Sequence, residues 1–350
     1  MDKPFVTVII PCLNEAASIR QCLNSVIAND YPKDRLEIVV MDGGSVDGTR
    51  SVVQSYQDCV PSVRLLDNPK KTAPSALNAG IKAARGEIIV RLDAHSFYAS
   101  DHISKSVRYL IEWGADNVGG VWEIVPRSDT LIGRSIACAL SHRFGVGNAR
   151  YRIQGVRQPE EVDTVPFGCF RKGLFNKLGP FNEAVPRNED IEFNTRIRKA
   201  GGKVMLAPDI KITYLARSTY RSFMQHTFDN GVKFGSRLSS FGHIFSWRHI
   251  VPLAALLWVL FMASGYMFFR ITGLNWAANI SLLTLSSPIA VYTVIALFCS
   301  LRIAIRLRSP LLVFIMPAMF FTLHSAHAAG SLFGIIKKIL NNKPRPVKTV

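Results

Sequence analysis

The sequence predicts an α/β domain with a mainly parallel sheet, followed by C-terminal transmembrane helices. Three features of the chain lead to this fold class. Short β-branched runs alternate with helical stretches before residue 215, and three long segments without acidic or basic residues follow residue 249. All 25 acidic residues lie at or before Asp229, whereas residues 250–350 hold nine basic residues and no acidic one. A basic tail interleaved with apolar runs suits an anionic membrane surface.

The first hundred residues are typical of a βαβ pattern. The predicted strands are Phe5–Pro11, Leu36–Met41, Val63–Leu66 and Glu87–Leu92. The predicted helices are Asn14–Ile27, Thr49–Tyr56 and Ala73–Ala84. Strands that alternate with helices pair in parallel through right-handed crossovers. Ligands in such sheets bind beyond the carboxyl ends of the strands. Asp42 and Asp93 both follow strands, so we expect them to share a pocket.

Beyond these strands the chain is expected to form three regions. Residues 1–215 are predicted to be the α/β domain, with glycine-rich loops at Phe144–Asn148 and Phe167–Cys169 and a helix over Asp190–Ala200. Residues 216–249 are amphipathic and rich in aromatic and basic side chains, which favours the membrane interface over simple packing on the domain. Residues 250–340 are predicted to be the membrane region.

A spanning helix needs about 20 apolar residues, and helices are predicted at 250–269, 278–300 and 310–335. The basic loop Arg302–Arg308 is expected to face the cytoplasm. A third crossing would then put Lys337 and the basic residues after it outside. We therefore expect the last segment to be re-entrant or interfacial, with two short crossings or an overridden charge rule as alternatives.

Charge and cysteine usage narrow the class of protein further. The net charge of +17 does not favour nucleic-acid binding, because the tail charges bracket apolar runs and form no separate basic domain. The six cysteines show no C-x-x-C pair, which indicates thiols in a reducing compartment. No signal-peptide pattern precedes the first strand. The expectation is a multi-pass protein of the inner or plasma membrane with a cytoplasmic catalytic domain.

Asp93-Ala94-His95 follows an apolar strand directly. A carboxylate and an imidazole at this spacing can converge on one divalent ion, Mn²⁺ or Mg²⁺, that bridges a diphosphate. The same pattern can also cap a helix or satisfy a loop. In Asp42–Thr49 the glycines allow a tight turn and close approach of a ligand. Asp42 can accept hydrogen bonds from a base or ribose, whereas Asp47 and Thr49 are expected to cap the next helix.

Glu189 and Asp190 open a predicted helix in the run Arg187-Asn188-Glu189-Asp190. Acidic residues at this position can simply complement the helix dipole. A carboxylate there can also act as a general base towards an acceptor hydroxyl. The residues alone leave both alternatives open.

Taken together, the motifs resemble the inverting family-2 glycosyltransferases. In chain order they are P-C-L-N-E, V-V-M-D-G-G-S-V-D-G-T, A-L-N-A-G-I, R-L-D-A-H, F-G-C-F-R-K and N-E-D-I-E-F-N-T-R-I-R-K-A-G. The resemblance covers roughly residues 5–215. F-G-V-G-N-A-R-Y-R and Asp-Ala-His in place of Asp-x-Asp are similar to the ExoA-like subgroup, which makes exopolysaccharide repeats on polyprenyl diphosphate. Gly43 replaces a second aspartate found in many members, and the Q-x-x-R-W motif of processive synthases is absent from the sequence.

The resemblance implies a GT-A fold and a role for each matching residue. The residues implied to bind the donor are Pro11, Asn14, Glu15, Asp42, Asn78 and Asp93. Those implied to lie near the acceptor are Gly168, Cys169, Phe170 and Arg171. Asp93 and His95 are implied to hold Mn²⁺ or Mg²⁺. Asp190 is implied to be the catalytic base, with Glu189 beside it.

The function that the resemblance implies is transfer of a sugar, with glucose as the guess, from a UDP-sugar or another nucleotide sugar. The acceptor would be a glycan on polyprenyl diphosphate in exopolysaccharide or surface-glycan synthesis. A polyprenyl-phosphate sugar synthase is the alternative enzyme. A non-catalytic membrane subunit that binds nucleotide sugars is the alternative from another class, and it predicts binding without turnover.

Overall fold

A computed structural model describes residues 3–185, 188–241 and 246–341. By its internal packing the chain divides into two compact units, residues 1–123 with 149–214 and residues 124–148 with 215–350. The sequence predicts one continuous α/β domain over residues 1–215, whereas in the structure residues 124–148 pack with the C-terminal helices. Outside the described residues lie Arg187, residues 242–245 of the predicted interfacial segment, and the basic residues Lys343, Arg345 and Lys348.

Nine strands of the described residues form one mixed sheet. They are β1 (Val6–Cys12), β2 (Leu36–Asp42), β3 (Val63–Asp67), β4 (Ile88–Arg91), β5 (Phe97–Tyr98), β6 (Asn117–Pro126), β7 (Glu160–Glu161), β8 (Cys169–Arg171) and β9 (Val204–Ala216). Their order is β3-β2-β1-β4-β8-β6-β9-β5, and β7 pairs with β9. β1 to β4 are parallel, whereas β8 runs antiparallel to both β4 and β6.

The helices of the first unit cover this sheet. They are α1 (Ile19–Ile27), α2 (Thr49–Cys59), α3 (Ala73–Ala83), α4 (His102–Glu112), α7 (Gly173–Leu178) and α8 (Glu189–Lys199). Single 3₁₀ turns occur at Lys33–Arg35 and Arg150–Arg152. Six of the seven residues of β1 and all of β2 are buried, as expected for parallel strands covered on both faces. The sequence therefore located these strands correctly.

The second unit is helical. It contains α5 (Leu131–Ser141), α6 (Arg143–Val146), α9 (Tyr220–Phe241), α10 (Trp247–Ile271), α11 (Asn275–Arg306) and α12 (Leu312–Asn341). By length and composition, the last three are each long and apolar enough to cross a membrane. α12 is one continuous helix through Pro317, so it neither turns back nor splits into two crossings. The re-entrant form of the prediction is therefore wrong, and the interfacial form stays a prediction.

α9, predicted as an interfacial segment, packs along α12. Gly231 of α9 lies against the backbone of His327, and Gly330 of α12 lies against the backbone of Phe228. A side chain at either glycine would collide with the opposite helix, because the two backbones are in contact. One face of α9 is therefore covered by protein, and its place at the membrane interface stays a prediction.

Candidate active site

The two strand-end carboxylates lie at the same edge of the sheet. Asp42 ends β2 and pairs with Cys12 of β1. Asp93 follows β4, whose last residue, Arg91, pairs with Ile9 of β1. Because the three strands are parallel, both acidic residues lie beyond carboxyl ends, at the edge where open α/β sheets bind ligands.

The chain turns out of the sheet at Asp93, and Tyr98 holds this turn. The Tyr98 hydroxyl accepts a hydrogen bond from Asp93 N at 2.7 Å and lies 3.2 Å from the Asp93 carbonyl oxygen, to which it donates. Ser96 N donates to the same carbonyl at 3.2 Å. The backbone of Asp93 is thus fixed, while its side chain keeps 24% of its surface exposed.

Arg91 links this turn to the start of α8. Its Nη2 lies 2.7 Å from Glu189 Oε1 and 3.5 Å from Asp93 Oδ1. The guanidinium is buried, and its Nε and Nη1 have no hydrogen-bond partner among the described residues. The sequence analysis missed Arg91. The available signal was a basic residue inside the apolar run Glu87–Leu92, since a charged side chain is rarely buried without a partner.

Glu189 and Asp190 begin α8 in different surroundings. Glu189 is only 4% exposed and holds the ion pair with Arg91. Asp190 is less buried, and its Oδ1 accepts a hydrogen bond from Ile191 N at 2.8 Å. Burial raises the pKa of both carboxyls, and the positive charge of Arg91 offsets part of the rise. Of the two, Asp190 is therefore better placed to meet an incoming hydroxyl.

His95 faces Glu15, which the resemblance placed at the nucleotide. Glu15 Oε1 lies 3.0 Å from His95 Nδ1. Burial acts to raise the pKa of Glu15, but hydrogen bonds from His95 and Ser18 bring it below its ordinary value. An ionised carboxylate only accepts hydrogen bonds, so His95 Nδ1 carries a proton and donates it to Glu15. This carboxylate–imidazole pairing orients metal-binding histidines in proteins.

The donor chemistry at Asp93 and His95 fits a divalent cation. Within the described ranges, no group of three His, Cys, Asp or Glu could hold a metal ion. Mg²⁺ sites commonly use one or two carboxylates and take further oxygens from substrate phosphates and water. An imidazole beside the carboxylate also suits Mn²⁺. One carboxylate and one imidazole two residues apart at this sheet edge match that donor chemistry.

Asp42, which the resemblance implied to bind the donor, has its carboxylate oxygens engaged within the protein. Its side chain is fully buried and accepts hydrogen bonds from Gly44 N at 3.1 Å, Ser45 Oγ at 2.5 Å and Arg50 Nη1 at 2.8 Å. Arg50 also binds Asp67 at 2.6 Å. Because its oxygens are engaged within the protein, Asp42 shapes the loop after β2. A direct contact from Asp42 to the base is not supported.

Asn14 and Pro11 border the same loop. Asn14 adopts a left-handed backbone with φ 56°. Its side-chain oxygen accepts from Val46 N at 2.9 Å, and its backbone N donates to Ser45 Oγ at 2.8 Å. Pro11 lies near the end of β1, opposite Met41. Asn14 therefore fixes the two strand-end loops to one another, which explains why the helix begins at Ile19 rather than Asn14.

Asn78 has a structural role in this conformation. Its Oδ1 accepts from Phe181 N at 2.8 Å, and its Nδ2 donates to the Phe181 carbonyl at 2.9 Å. A further bond at 3.2 Å reaches Glu183 Oε1. These contacts tie α3 to residues 181–183. The prediction that Asn78 binds the donor gains no support from them.

The predicted acceptor segment is buried or distant. Cys169 and Phe170 are 1% and 4% exposed, and they pack in the cores on the two faces of the sheet. Arg171 pairs with Ile88 at the start of β4, so it lies roughly 16 Å along the strand direction from Asp93. Gly168 lies nearer, since its carbonyl accepts from Arg91 N at 3.0 Å. The prediction that Cys169, Phe170 and Arg171 lie near the acceptor therefore gains no support from their burial and register.

Comparison with known proteins identifies a protein family that this chain matches. Residues 7–179 match the family model described as Glycosyl transferase family 2. The succinoglycan biosynthesis protein ExoA of Rhizobium meliloti is 29% identical over 213 residues, which cover 60% of this chain and 63% of that protein. The chain thus spans slightly less than two thirds of the length of ExoA.

A longer match is to an enzyme of Methanococcus voltae. Its name is dolichyl N-acetyl-alpha-D-glucosaminyl phosphate 3-beta-D-2,3-diacetamido-2,3-dideoxy-beta-D-glucuronosyltransferase. The identity is 25% over 340 residues, which cover 95% of this chain and 98% of that enzyme. Among solved structures, the mannosyltransferase PcManGT of Pyrobaculum calidifontis, in complex with GDP-Man and Mn²⁺, superposes with a TM-score of 0.60. The sequence identity is 20%, and the superposed part covers 98% of this chain and 89% of the PcManGT chain.

Proposed function

The chain belongs to glycosyl transferase family 2 and has the GT-A fold, and we propose that it is a membrane-anchored inverting enzyme. It would transfer a sugar from a nucleotide donor to a lipid-linked glycan. The family resemblance seen in the sequence is confirmed, and with it the activity of a glycosyltransferase. The donor sugar and base, with UDP-glucose as the first choice, belong to the proposal.

One observation carries the proposed reaction. Arg91 joins the strand-end Asp93 to the acidic start of α8, at 3.5 Å and 2.7 Å. This brings a carboxylate suited to a metal–diphosphate near the start of α8, where Glu189 is held by Arg91 and Asp190 is suited to a proton transfer. Displacement at an anomeric carbon needs these two functions on opposite faces of the sugar.

Asp190 would remove the proton from the acceptor hydroxyl, because Glu189 is occupied by Arg91. A base whose pKa is raised by burial takes up a proton more readily near neutral pH. Asp93 and His95 would hold a divalent cation, which when bound supplies positive charge for the leaving diphosphate. The hydroxyl oxygen forms the new bond as the bond to the diphosphate breaks, so the configuration of the sugar inverts.

The Methanococcus voltae relative supports a lipid-linked acceptor. Its name specifies a sugar already attached to dolichyl phosphate, and the match extends over nearly its full length. α10, α11 and α12 would keep such an enzyme at the bilayer that holds the acceptor. Arg306 and Arg308 at the end of α11 favour a cytoplasmic position for that helix end, and we place the catalytic unit on the same side.

The alternative, a polyprenyl-phosphate sugar synthase, differs in the acceptor atom. It would glycosylate the phosphate oxygen of an unsubstituted lipid phosphate. The two acceptors are distinguished by incubating membranes that contain the full chain with a panel of nucleotide sugars. The mass of the lipid product is then measured by mass spectrometry. A product with two or more sugars supports the proposal, whereas a single sugar on one phosphate supports the synthase.

The base assignment is tested by Asp190→Asn. We expect transfer to fall by about 10²–10⁴-fold, since a general base contributes on that scale. Nucleotide affinity, measured by calorimetric titration, should change little. Asp34→Asn is a matched control, because Asp34 has a side chain that is 82% exposed. Near-normal turnover of Asp190→Asn would remove Asp190 from the mechanism.

A further inference from the structure

A single 3₁₀ turn, Arg150–Arg152, holds two arginines of the F-G-V-G-N-A-R-Y-R motif in different roles. Arg150 forms a forked ion pair with Glu160, with Nε–Oε1 at 2.6 Å and Nη2–Oε2 at 3.0 Å. This bidentate pair anchors the turn to β7. Arg152 is then presented by an element that is already fixed.

Aromatic rings hold the Arg152 guanidinium. Its central carbon lies 4.7 Å from the centroid of the Trp122 ring, and its Nε donates to the Tyr151 hydroxyl at 3.3 Å. The Tyr214 ring stacks on Trp122 at 4.5 Å with an interplanar angle of 2°. Tyr214 and Arg152 thus both contact the Trp122 ring. The indole is therefore a support for the cation.

Arg152 carries a charge that the protein does not compensate by contact. In the part of the chain that the structure describes, Arg152 makes no ion pair with a carboxylate within 4.0 Å. The side chain is partly buried. Burial acts to lower its pKa, but Tyr151, Tyr214 and Asp190 raise it above its ordinary value. A permanently charged, partly desolvated guanidinium is stabilised by an anion that can accept its fork of hydrogen bonds.

Trp122 lies at the same sheet edge as Asp93. Val90 of β4 and Val118 of β6 both pair with Cys169, so Asp93 is level with residue 121 and Trp122 lies one residue beyond. Two strand spacings separate β4 from β6, which is about 10 Å. The cation on Trp122 thus lies at the same edge of the sheet as Asp93, about two strand spacings away.

We propose that Arg152 binds the phosphate group that links the acceptor sugar to its lipid. This rests on the proposed function. In an inverting displacement the base and the acceptor lie opposite the leaving diphosphate. Asp93 serves the leaving side and Asp190 the acceptor side. A cation at this sheet edge, held on Trp122 and without a carboxylate partner among the described residues, is placed to hold the anionic part of the acceptor.

Binding of farnesyl diphosphate to the full chain in detergent tests this, with farnesol as the neutral counterpart. A saturating nucleoside diphosphate, UDP or GDP according to which one binds, fills the donor pocket. We expect the wild-type chain to bind farnesyl diphosphate about 10- to 100-fold more tightly than farnesol, the range for charge-assisted hydrogen bonds. Arg152→Gln should remove that preference, and Arg152→Lys should retain part of it because the charge stays and the fork is lost.

Arg157→Gln is the matched control, since Arg157 is an exposed arginine five residues away. It should bind farnesyl diphosphate as the wild type does. The proposal is overturned if Arg152→Gln keeps the preference, or if the wild type shows none. It is also overturned if Arg152→Gln weakens the nucleoside diphosphate equally, which would assign Arg152 to the donor. A wild-type chain that shows the expected binding but transfers no sugar would contradict the proposed function instead.

Discussion

Asp42 ends β2 and Asp93 follows β4, the two strands on either side of β1, yet their carboxylates lie in opposite environments. Asp42 is fully buried and accepts from its own loop and from Arg50. Asp93 is partly exposed, and the one cation among the described residues that approaches it is Arg91, at 3.5 Å. The difference teaches that a strand-end carboxylate can bind a ligand only where local donors have not already engaged its oxygens.

Arg91→Met should have the largest effect, because it removes the cation that approaches Asp93. The substitution leaves Glu189 buried without its partner, and breaking such a pair costs about 3–5 kcal/mol. Denaturant unfolding of the detergent-solubilised chain measures this loss. The double variant Arg91→Met/Glu189→Met should recover much of it, as no buried charge remains.

Arg108→Met serves as the control for Arg91→Met. Arg108 is 52% exposed and lies 3.9 Å from Glu112, so its removal should cost less than about 1 kcal/mol. If Arg91→Met unfolds at the same denaturant concentration as Arg108→Met, then Arg91 does not hold the site together.

Asp42→Asn should cause the second-largest loss of unfolding free energy. The amide nitrogen would face donors from Gly44, Ser45 and Arg50, and leaving these unpaired costs about 2–4 kcal/mol. Burial acts to raise the pKa of Asp42, but hydrogen bonds from Ser45 and Arg50 hold it below its ordinary value. The wild type therefore keeps this stabilisation above the ordinary pKa and loses it as the pH falls through the lower, folded value.

Asp42→Asn should lack that acid-dependent part of the unfolding free energy. Stability curves of both chains between pH 7 and pH 3 measure the difference. A variant that unfolds like the wild type at pH 7 would show that the loop does not depend on the carboxylate.

Glu15→Ala should have a smaller effect, on metal affinity and not on stability. Loss of the carboxylate that orients a ligating imidazole weakens metal binding by about 10–100-fold. Mn²⁺ titration followed by electron paramagnetic resonance measures this without turnover. The Mn²⁺ affinity of Glu15→Gln should lie between those of the wild type and Glu15→Ala, since its amide oxygen can still accept a hydrogen bond from His95 Nδ1. Unchanged Mn²⁺ affinity in Glu15→Ala would mean that Glu15 does not orient a metal ligand.

The sequence predicts correctly the elements whose burial follows from a local hydrophobic pattern. The β-branched runs located β1 and β2, and the helix after Asn188 begins one residue before its predicted start. The start of α1 was missed, because Asn14 is held by Val46 and Ser45 of another loop. A propensity pattern carries no information on such a distant partner.

The candidate site likewise contains residues that the sequence predicts and residues that it does not. The strand-end position of Asp93 follows from periodicity alone. Arg91 reaches Glu189 across 98 residues, and no local signal specifies that pair. Asn78, Cys169 and Phe170 belong to family motifs, but here the structure uses them for packing and loop attachment. A motif marks residues that a fold needs, without telling which of them a ligand can reach.

The contrast between the two carboxylates is tested most directly by Mn²⁺ binding. The measurement compares Asp93→Asn with Asp42→Asn in the full chain, with a nucleoside diphosphate present and folding checked by circular dichroism. We predict that Asp93→Asn weakens Mn²⁺ by at least about 10-fold, because a charged ligand is lost. We predict that folded Asp42→Asn binds Mn²⁺ as the wild type does. Wild-type affinity in Asp93→Asn, or an equal loss in Asp42→Asn, would contradict the account.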